Sequence, residues 1–421
     1  MKAPAALRRA SWNLVDQVIS SGTNAALSFL IARSVSSADF GGFAVAFTVF
    51  SLVIGVSRAV STSPLSVRFT TVSPEDFRRA AASGVGTAFS LGVVGGMGCL
   101  VAGALVGGAA GEALVALGVV LPGLLSQDAW RLVFFAEGRP RAAAVNDAMW
   151  AVTQLAAVGA LLLGGFDTIG LLLGAWGLAA AAAALLGLRQ SGVRPRPGTA
   201  LPWLRDHRSL TGYLLAEFVT LQGGQQTAML IIASVGSLEA IGALRGAQVV
   251  LGPTTILAVG MYSFALPEFS RRRATLTVPE WVRSASALSL FITLSGVAWG
   301  VLFFVLPNAV GQALLGDSWR GTESVLFASI VGQAGAAIVT GPSTMLYAMD
   351  RARVTIRIHV VLAVLLFACG VGGVLIGGAS GAAWGFAVAF WSVVPAWWVL
   401  LHREARRTVL QAAAPVDQPS T

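Results

Sequence analysis

Apolar runs of about 20 residues recur along almost the whole chain, and this pattern constrains the fold more than any other feature. Lipid offers no partner for backbone N–H and C=O groups, so each run must satisfy them internally, as a helix does. Twelve spans are expected, roughly at 12–33, 40–62, 82–106, 113–136, 142–164, 168–188, 209–234, 240–263, 283–306, 323–347, 355–377 and 381–401. Of the 421 residues 56% are hydrophobic and 11% charged, less than half the ~25% charged content of soluble domains. An all-α polytopic membrane protein follows. Lys2, Arg8 and Arg9 precede the first span, but the stretch 12–33 is long and lacks a small-residue cleavage site. It reads as a spanning helix rather than a removable signal.

The formal charge is +9, and Lys2 is the only lysine. A nucleic-acid ligand would call for one basic patch, whereas these arginines sit in alternate loops. With twelve spans, roughly 23 of the 28 basic residues fall on the side that holds both termini. Arg33 and Arg320 fall on the other side, and Arg58, Arg131 and Arg245 within spans. The positive-inside rule then places both termini in the cytoplasm. Cys99 and Cys369 both fall within spans, so no disulfide framework is implied.

Residues 34–42 read Ser-Val-Ser-Ser-Ala-Asp-Phe-Gly-Gly, and 234–242 read Ser-Val-Gly-Ser-Leu-Glu-Ala-Ile-Gly. Ser34, Val35, Ser37, Asp39 and Gly42 thus align with Ser234, Val235, Ser237, Glu239 and Gly242. Further matches keep the order: Val72-Ser73-Pro74-Glu75 with Thr277-Val278-Pro279-Glu280, and Phe135-Ala136-Glu137-Gly138-Arg139-Pro140-Arg141 after the fourth span with Tyr347-Ala348-Met349-Asp350-Arg351-Ala352-Arg353 after the tenth. The chain is read as a duplicated unit: a six-helix lobe at 1–188, a Pro-, Gly- and Arg-rich cytoplasmic linker at 189–208 and a second six-helix lobe at 209–407. A disordered tail is expected at 408–421. Two pseudo-symmetric lobes around a central cavity are the expected architecture. Asp39 and Glu239 are expected to cap helices.

Two spans are unusually polar. Asn13, Asp16, Gln17, Ser20, Asn24 and Ser28 share one stripe of the first, and Glu217, Thr220, Gln222, Gln225, Gln226 and Thr227 lie on the seventh. Lipid cannot solvate such stripes, so they face other helices or water. Asp16, Gln17, Asn24, Glu217, Gln222 and Gln225 are therefore candidate cavity residues. Arg58 and Arg245 are the intramembrane cations expected to contact an anionic substrate, since a guanidinium binds phosphate oxygens in a fork. Pairing with Asp16 and Glu217 is the alternative for them. Asp128 and Arg131, three apart on one face, are expected to neutralise each other, with Asp147 able to join. Pro253 and Pro342, flanked by Gly and hydroxyl residues, are candidate hinges. Gly92/Gly96, Gly103/Gly107 and Gly373/Gly377 have the spacing of close helix packing. His359 beside Arg357 reads as structural. There is no Walker A lysine motif, no H-E-x-x-H and no metal-spaced Cys or His cluster, so no enzyme, cofactor or metal is expected.

Ala32-Arg33-Ser34 with Asp39-Phe40-Gly41-Gly42-Phe43, after a polar first helix, resembles the opening of polysaccharide-transport (O-antigen-type) flippases. That family belongs to the multidrug/oligosaccharidyl-lipid/polysaccharide (MOP) exporter superfamily. The resemblance implies two six-helix lobes forming a V-shaped cavity whose cationic residues hold the pyrophosphate of a polyprenyl-linked sugar. It implies movement of that lipid-linked oligosaccharide from the cytoplasmic to the outer leaflet, by alternating access, for envelope polysaccharide synthesis. Membrane lipids and functional association with glycosyltransferases or a polymerase go with it, and a monomer is expected. An ion-coupled multidrug-type antiporter of the same superfamily is the main alternative, with Asp16 or Glu217 as the coupling carboxylate. A major-facilitator carrier lacks its basic loop signature at 64–80, and a membrane-embedded polymerase or glycosyltransferase would need a large outer loop or clustered acids.

Overall fold

A computed structural model describes residues 3–69, 72–272, 277–349 and 351–413; among them there is no β-strand. The first span is α1 (Ala3–Ser34); the second is α2 (Ser37–Ser57), a π-helical turn (Arg58–Thr62) and α3 (Ser63–Arg68). Spans three to six are α4 (Pro74–Val106), α5 (Gly108–Ala136), α6 (Pro140–Leu163) and α7 (Ile169–Ser191). The linker holds a 3₁₀ turn (Pro197–Thr199) and a short helix, α8 (Ala200–Asp206). Span seven is α9 (Arg208–Phe218), a second π-turn (Val219–Gly223) and α10 (Gly224–Val235); span eight is α11 (Leu238–Val250) with α12 (Gly252–Arg272). Then follow α13 (Val278–Val305), the short loop helix α14 (Asn308–Leu315), α15 (Ser318–Ile338) with α16 (Thr340–Ala348), and α17 (Ala352–Ala413). Backbone at Gly377 and Gly378 (φ 59° at the latter) is non-helical inside α17 and separates spans eleven and twelve. Residues 414–421 of the expected tail, and Asp350, lie outside the described residues.

Eight of these segments are long and apolar enough to cross a membrane, and nine if α11 and α12 form one broken span. The first and seventh spans fall short because their polar stripes lower the mean hydropathy. Their neighbours make up for it on the outside: Val94, Leu105, Leu163 and Ile376 are 70–93% exposed as a class of side chains that water does not tolerate in bulk. These surfaces face lipid.

The chain divides into two compact units: Met1–Val249 with Asn308–Ser324, and Val250–Pro307 with Val325–Thr421. In the first, Leu65, Phe77, Val85, Trp130, Phe134 and Trp203 build a core. In the second, Trp281, Met345, Leu346, Trp397 and Leu401 do so.

Small residues bring helices together as their spacing predicts. A Cβ on Gly96 would meet the Gly118 carbonyl at 2.5 Å, and one on Gly92 the Pro122 backbone at 2.6 Å, so α4 and α5 touch backbone to backbone. Gly373 meets Gly381 in the same way. Gly107 and Gly377 instead end helices. Gly96→Leu is expected to cost about 1–3 kcal/mol through overpacking, read as a lower unfolding temperature in detergent. Gly98→Leu, where a Cβ meets nothing, should leave it unchanged.

The duplicated motif has a structural role in each copy. Ser36 caps α2 by accepting the Asp39 N–H at 3.1 Å and donates its hydroxyl to Asp39 Oδ2 at 2.7 Å. Ser237 accepts the Ala240 N–H at 3.1 Å. The caps are thus the serines, and Asp39 completes its cap from the first turn rather than being the cap. Ser73 and Thr277 cap α4 and α13 with Asp76 and Glu280, so both matched segments start helices, with the capping residues offset by one from the matched register. The two copies also pack on one another within the first unit. A Cβ on Gly41 would collide with the Leu238 carbonyl, and one on Gly242 would press on Gly41 and the Ser37 carbonyl at 3.2–3.3 Å.

Prolines inside spans free carbonyls, and at Pro342 another side chain fills the gap. Pro342 cannot donate to the Ile338 carbonyl; the Ser289 hydroxyl does so at 2.7 Å and accepts the Gly341 N–H at 3.0 Å. Near Pro253, the Trp299 indole donates to the Val250 carbonyl at 2.8 Å. Pro253 and Pro342 both lie in the first turn after a helix break, at α12 and α16.

Candidate functional site

Three aspartates and two arginines from four segments meet inside the first unit. The π-turn at Arg58–Thr62 presents Arg58, whose Nε and Nη2 donate to Asp128 at 2.8 and 2.5 Å. Asp128 and Arg131 share a face of α5, but Arg131 turns away from its neighbour. Its Nε and Nη2 donate to Asp16 Oδ2 of α1 at 2.8 and 2.6 Å. Asp147 of α6 places Oδ2 3.1 Å from the same Nε. That nitrogen carries one hydrogen, already given to Asp16, so the Asp147 contact is Coulombic rather than a hydrogen bond.

Amides complete the cluster. Gln127 donates to Asp147 Oδ1 at 2.7 Å and to Asn146 Oδ1 at 3.3 Å. Asn146 donates to the Ala183 carbonyl of α7 at 2.8 Å and to Gln190 at 3.1 Å. Asp16 Oδ1 and Asp147 Oδ2 are buried with no hydrogen bond. With every group ionised, the five charges leave one negative in excess, and two carboxylate oxygens have no donor. Desolvated charge of that kind is costly and draws a cation or a proton. The arrangement can hold one of either.

The pairing differs from the sequence expectation in three respects. Arg58 binds Asp128, not Asp16. Asp128 and Arg131 do not neutralise each other. Asp16 is fully buried on Arg131. Gln127 and Asn146 were not singled out from the sequence; their adjacency to Asp128 and Asp147 was the available signal.

Arg245 of α11 is held differently. Its guanidinium carbon lies 3.8 Å from the centre of the Phe47 ring, and Nη1 reaches Gln248 Oε1 at 3.4 Å. Its Nε is buried without a hydrogen bond, and no carboxylate pairs with it among the described residues. Phe47 belongs to an aromatic run along α2, with Phe43 at 5.7 Å, Phe50 at 6.0 Å and Trp176 of α7 at 6.4 Å. The ring quadrupole partly replaces a counter-ion while leaving the guanidinium edge without an acid.

Of the remaining candidates, Asn24, Glu217 and Gln225 are half-buried and Gln222 is exposed. The side chain of Gln17 lies outside the described residues. His359 packs edge-on against Trp397 at 5.0 Å in the second unit. Among the described residues no cluster of His, Cys, Asp and Glu has the form of a metal site.

No family model matches the chain, and no curated protein matches it. Solved structures do. An inward-facing multidrug-resistance MATE family transporter of the MOP superfamily superposes with a TM-score of 0.62 at 14% identity, over 97% of this chain and 96% of that one. The lipid II flippase MurJ, in an inward closed conformation, gives 0.66 at 12% identity, over 98% and 94%. A MOP superfamily transporter from Pyrococcus furiosus gives 0.54 at 13% identity, over 98% and 96%. The protein is therefore an all-α, multi-pass membrane protein with the twelve-helix, two-lobe fold of MOP superfamily transporters. Its neighbours in that fold are transporters and a flippase rather than enzymes.

Proposed function

We propose that the protein moves a lipid-linked oligosaccharide, a polyprenyl-pyrophosphate-sugar, from the cytoplasmic to the outer leaflet of a bacterial inner membrane by alternating access. Arg245 carries this reading. A cation in a span, held by an aromatic ring and lacking a carboxylate, offers its N–H edge to an anion. The pyrophosphate is the group that cannot cross hydrocarbon unaided, while the polyprenyl chain stays in lipid. Similarity in fold to a lipid II flippase supports a lipid-linked cargo. Arg58 enters as a member of the ion network, since Asp128 occupies its fork. Glu217, Gln222, Gln225 and Asn24 are the polar groups we assign to the sugar's path, and Pro253 and Pro342 are proposed hinges.

One observation favours a second reading, an ion-coupled antiporter: the excess negative charge around Asp16 and Asp147. The readings separate in one assay. Purified protein in vesicles carrying a short-chain polyprenyl-pyrophosphate sugar should raise its outer-leaflet fraction, scored by an enzyme that modifies only exposed sugar. No exposure above protein-free vesicles, together with proton-driven loss of a cationic dye, would establish the antiporter instead.

A further inference from the structure

The linker between the expected lobes is folded onto the first unit. The Arg196 N–H donates to the Ala82 carbonyl at 2.9 Å, and Thr199 donates its hydroxyl to Ser83 at 3.1 Å. A Cβ on Gly86 would strike the Arg196 backbone, so α4 has a glycine where the linker crosses it. Next comes α8, whose Trp203 is 5% exposed and belongs to the core with Leu65, Phe77 and Trp130. Its ring stacks on Phe69 at 5.8 Å and meets His207 in a tilted contact at 4.1 Å.

The Trp203 indole donates to the Val60 carbonyl at 3.1 Å. In an α-helix that carbonyl would accept the N–H of residue 64, and residue 64 is a proline. Val60 is the middle residue of the π-turn whose first residue is Arg58. The linker thus supplies the donor that Pro64 lacks, within the turn that aims Arg58 at Asp128.

We propose that Trp203 is a positioning residue for the buried ion network: docked α8 holds the π-turn in the geometry that lets Arg58 grip Asp128 with two hydrogen bonds. Linker docking and ion-pair formation then stabilise each other, and the coupling is reciprocal. The inference is independent of the substrate.

Trypsin reads the linker directly. Arg194 and Arg196 are each followed by proline and resist cleavage; Arg189 is exposed in α7, away from α8, whereas Arg205 and Arg208, exposed but set in helices, flank the docked segment and open when α8 undocks. Limited proteolysis of the 421-residue chain in detergent would compare wild type with Trp203→Phe, which keeps a ring but loses the N–H. Asp128→Asn and Arg58→Lys would be run beside it. Cleavage at Arg205 and Arg208 is expected to rise at least about fivefold in Trp203→Phe. It should also rise in Asp128→Asn and Arg58→Lys, whose linkers are intact. The Trp203→Phe/Asp128→Asn double variant should cleave less than the product of the two single effects predicts. Trp299→Phe, which loses the same kind of indole bond in the second unit, should cleave as wild type. Wild-type cleavage in both Asp128→Asn and Arg58→Lys would overturn the proposal, as would multiplicative effects in the double variant or an equal rise in Trp299→Phe.

Discussion

In Arg131→Met protein, Asp16 and Asp147 lose the one cation that both touch, and the expected result is a loss of about 3–5 kcal/mol of stability. Both carboxylates are almost fully buried, with relative side-chain exposures of 0% and 1%, so water cannot replace the guanidinium. The loss would appear as a lower unfolding temperature in detergent or as failure to recover monodisperse protein. Neutralising the partners as well, in the triple variant Arg131→Met/Asp16→Asn/Asp147→Asn, should restore most of it, because an uncompensated charge is worse than no charge. Asp147→Asn alone leaves two aspartates against two arginines and should be at least as stable as wild type. An Arg131→Met protein as stable as wild type would mean that the cluster is not ionised as drawn.

Arg245→Ala is expected to weaken binding of a soluble polyprenyl-pyrophosphate analogue roughly 10- to 100-fold, the range for losing hydrogen bonds to a charged group. Arg245→Lys should recover only part, since an ammonium keeps the charge and loses the planar fork. Phe47→Leu removes the ring under the guanidinium and should weaken binding while leaving Arg58 and its partner untouched. Calorimetric titration of the purified variants measures all three. Equal affinity in wild type and Arg245→Ala would remove the basis for assigning the head group to this residue. Loss of binding in Phe47→Leu alone would point to aromatic stacking of the sugar instead.

Much of the fold was legible because lipid enforces simple local rules. Each span must close its own backbone bonds, so apolar length located most of the helices, down to the break at Gly377 and Gly378. The duplicated Ser-Val-x-Ser-x-acidic element was legible as a repeat and as a cap. Its assignment to Asp39 missed by one role: the serine accepts the backbone N–H and the acid supports the serine. That the two copies touch through Gly41 and Gly242 had no sequence signal beyond the glycines, since contact between residues 200 apart is a property of packing.

The ion network was legible only as an inventory. Asp16, Arg58, Asp128, Arg131 and Asp147 were each visible as expensive intramembrane charges that need partners. Helical spacing made Asp128 and Arg131 look like a pair. In the folded chain Asp128 meets Arg58 across 70 residues and Arg131 meets Asp16 across 115. A charge in a low-dielectric interior takes the partner with the best geometry, and a fork on a carboxylate from a facing helix outcompetes a side-on neighbour.

The sequence by itself thus determined that this protein is helical and crosses a membrane many times, and it marked the charged residues that the spans contain. Tertiary structure alone decided who pairs with whom: that Arg58 is already committed, that Arg245 rests on Phe47 without an acid, and that Trp203 supplies the bond Pro64 cannot make. The reason is that helix formation is a local satisfaction of backbone groups, whereas pairing in a dry interior depends on angles and distances that only the packed helices define.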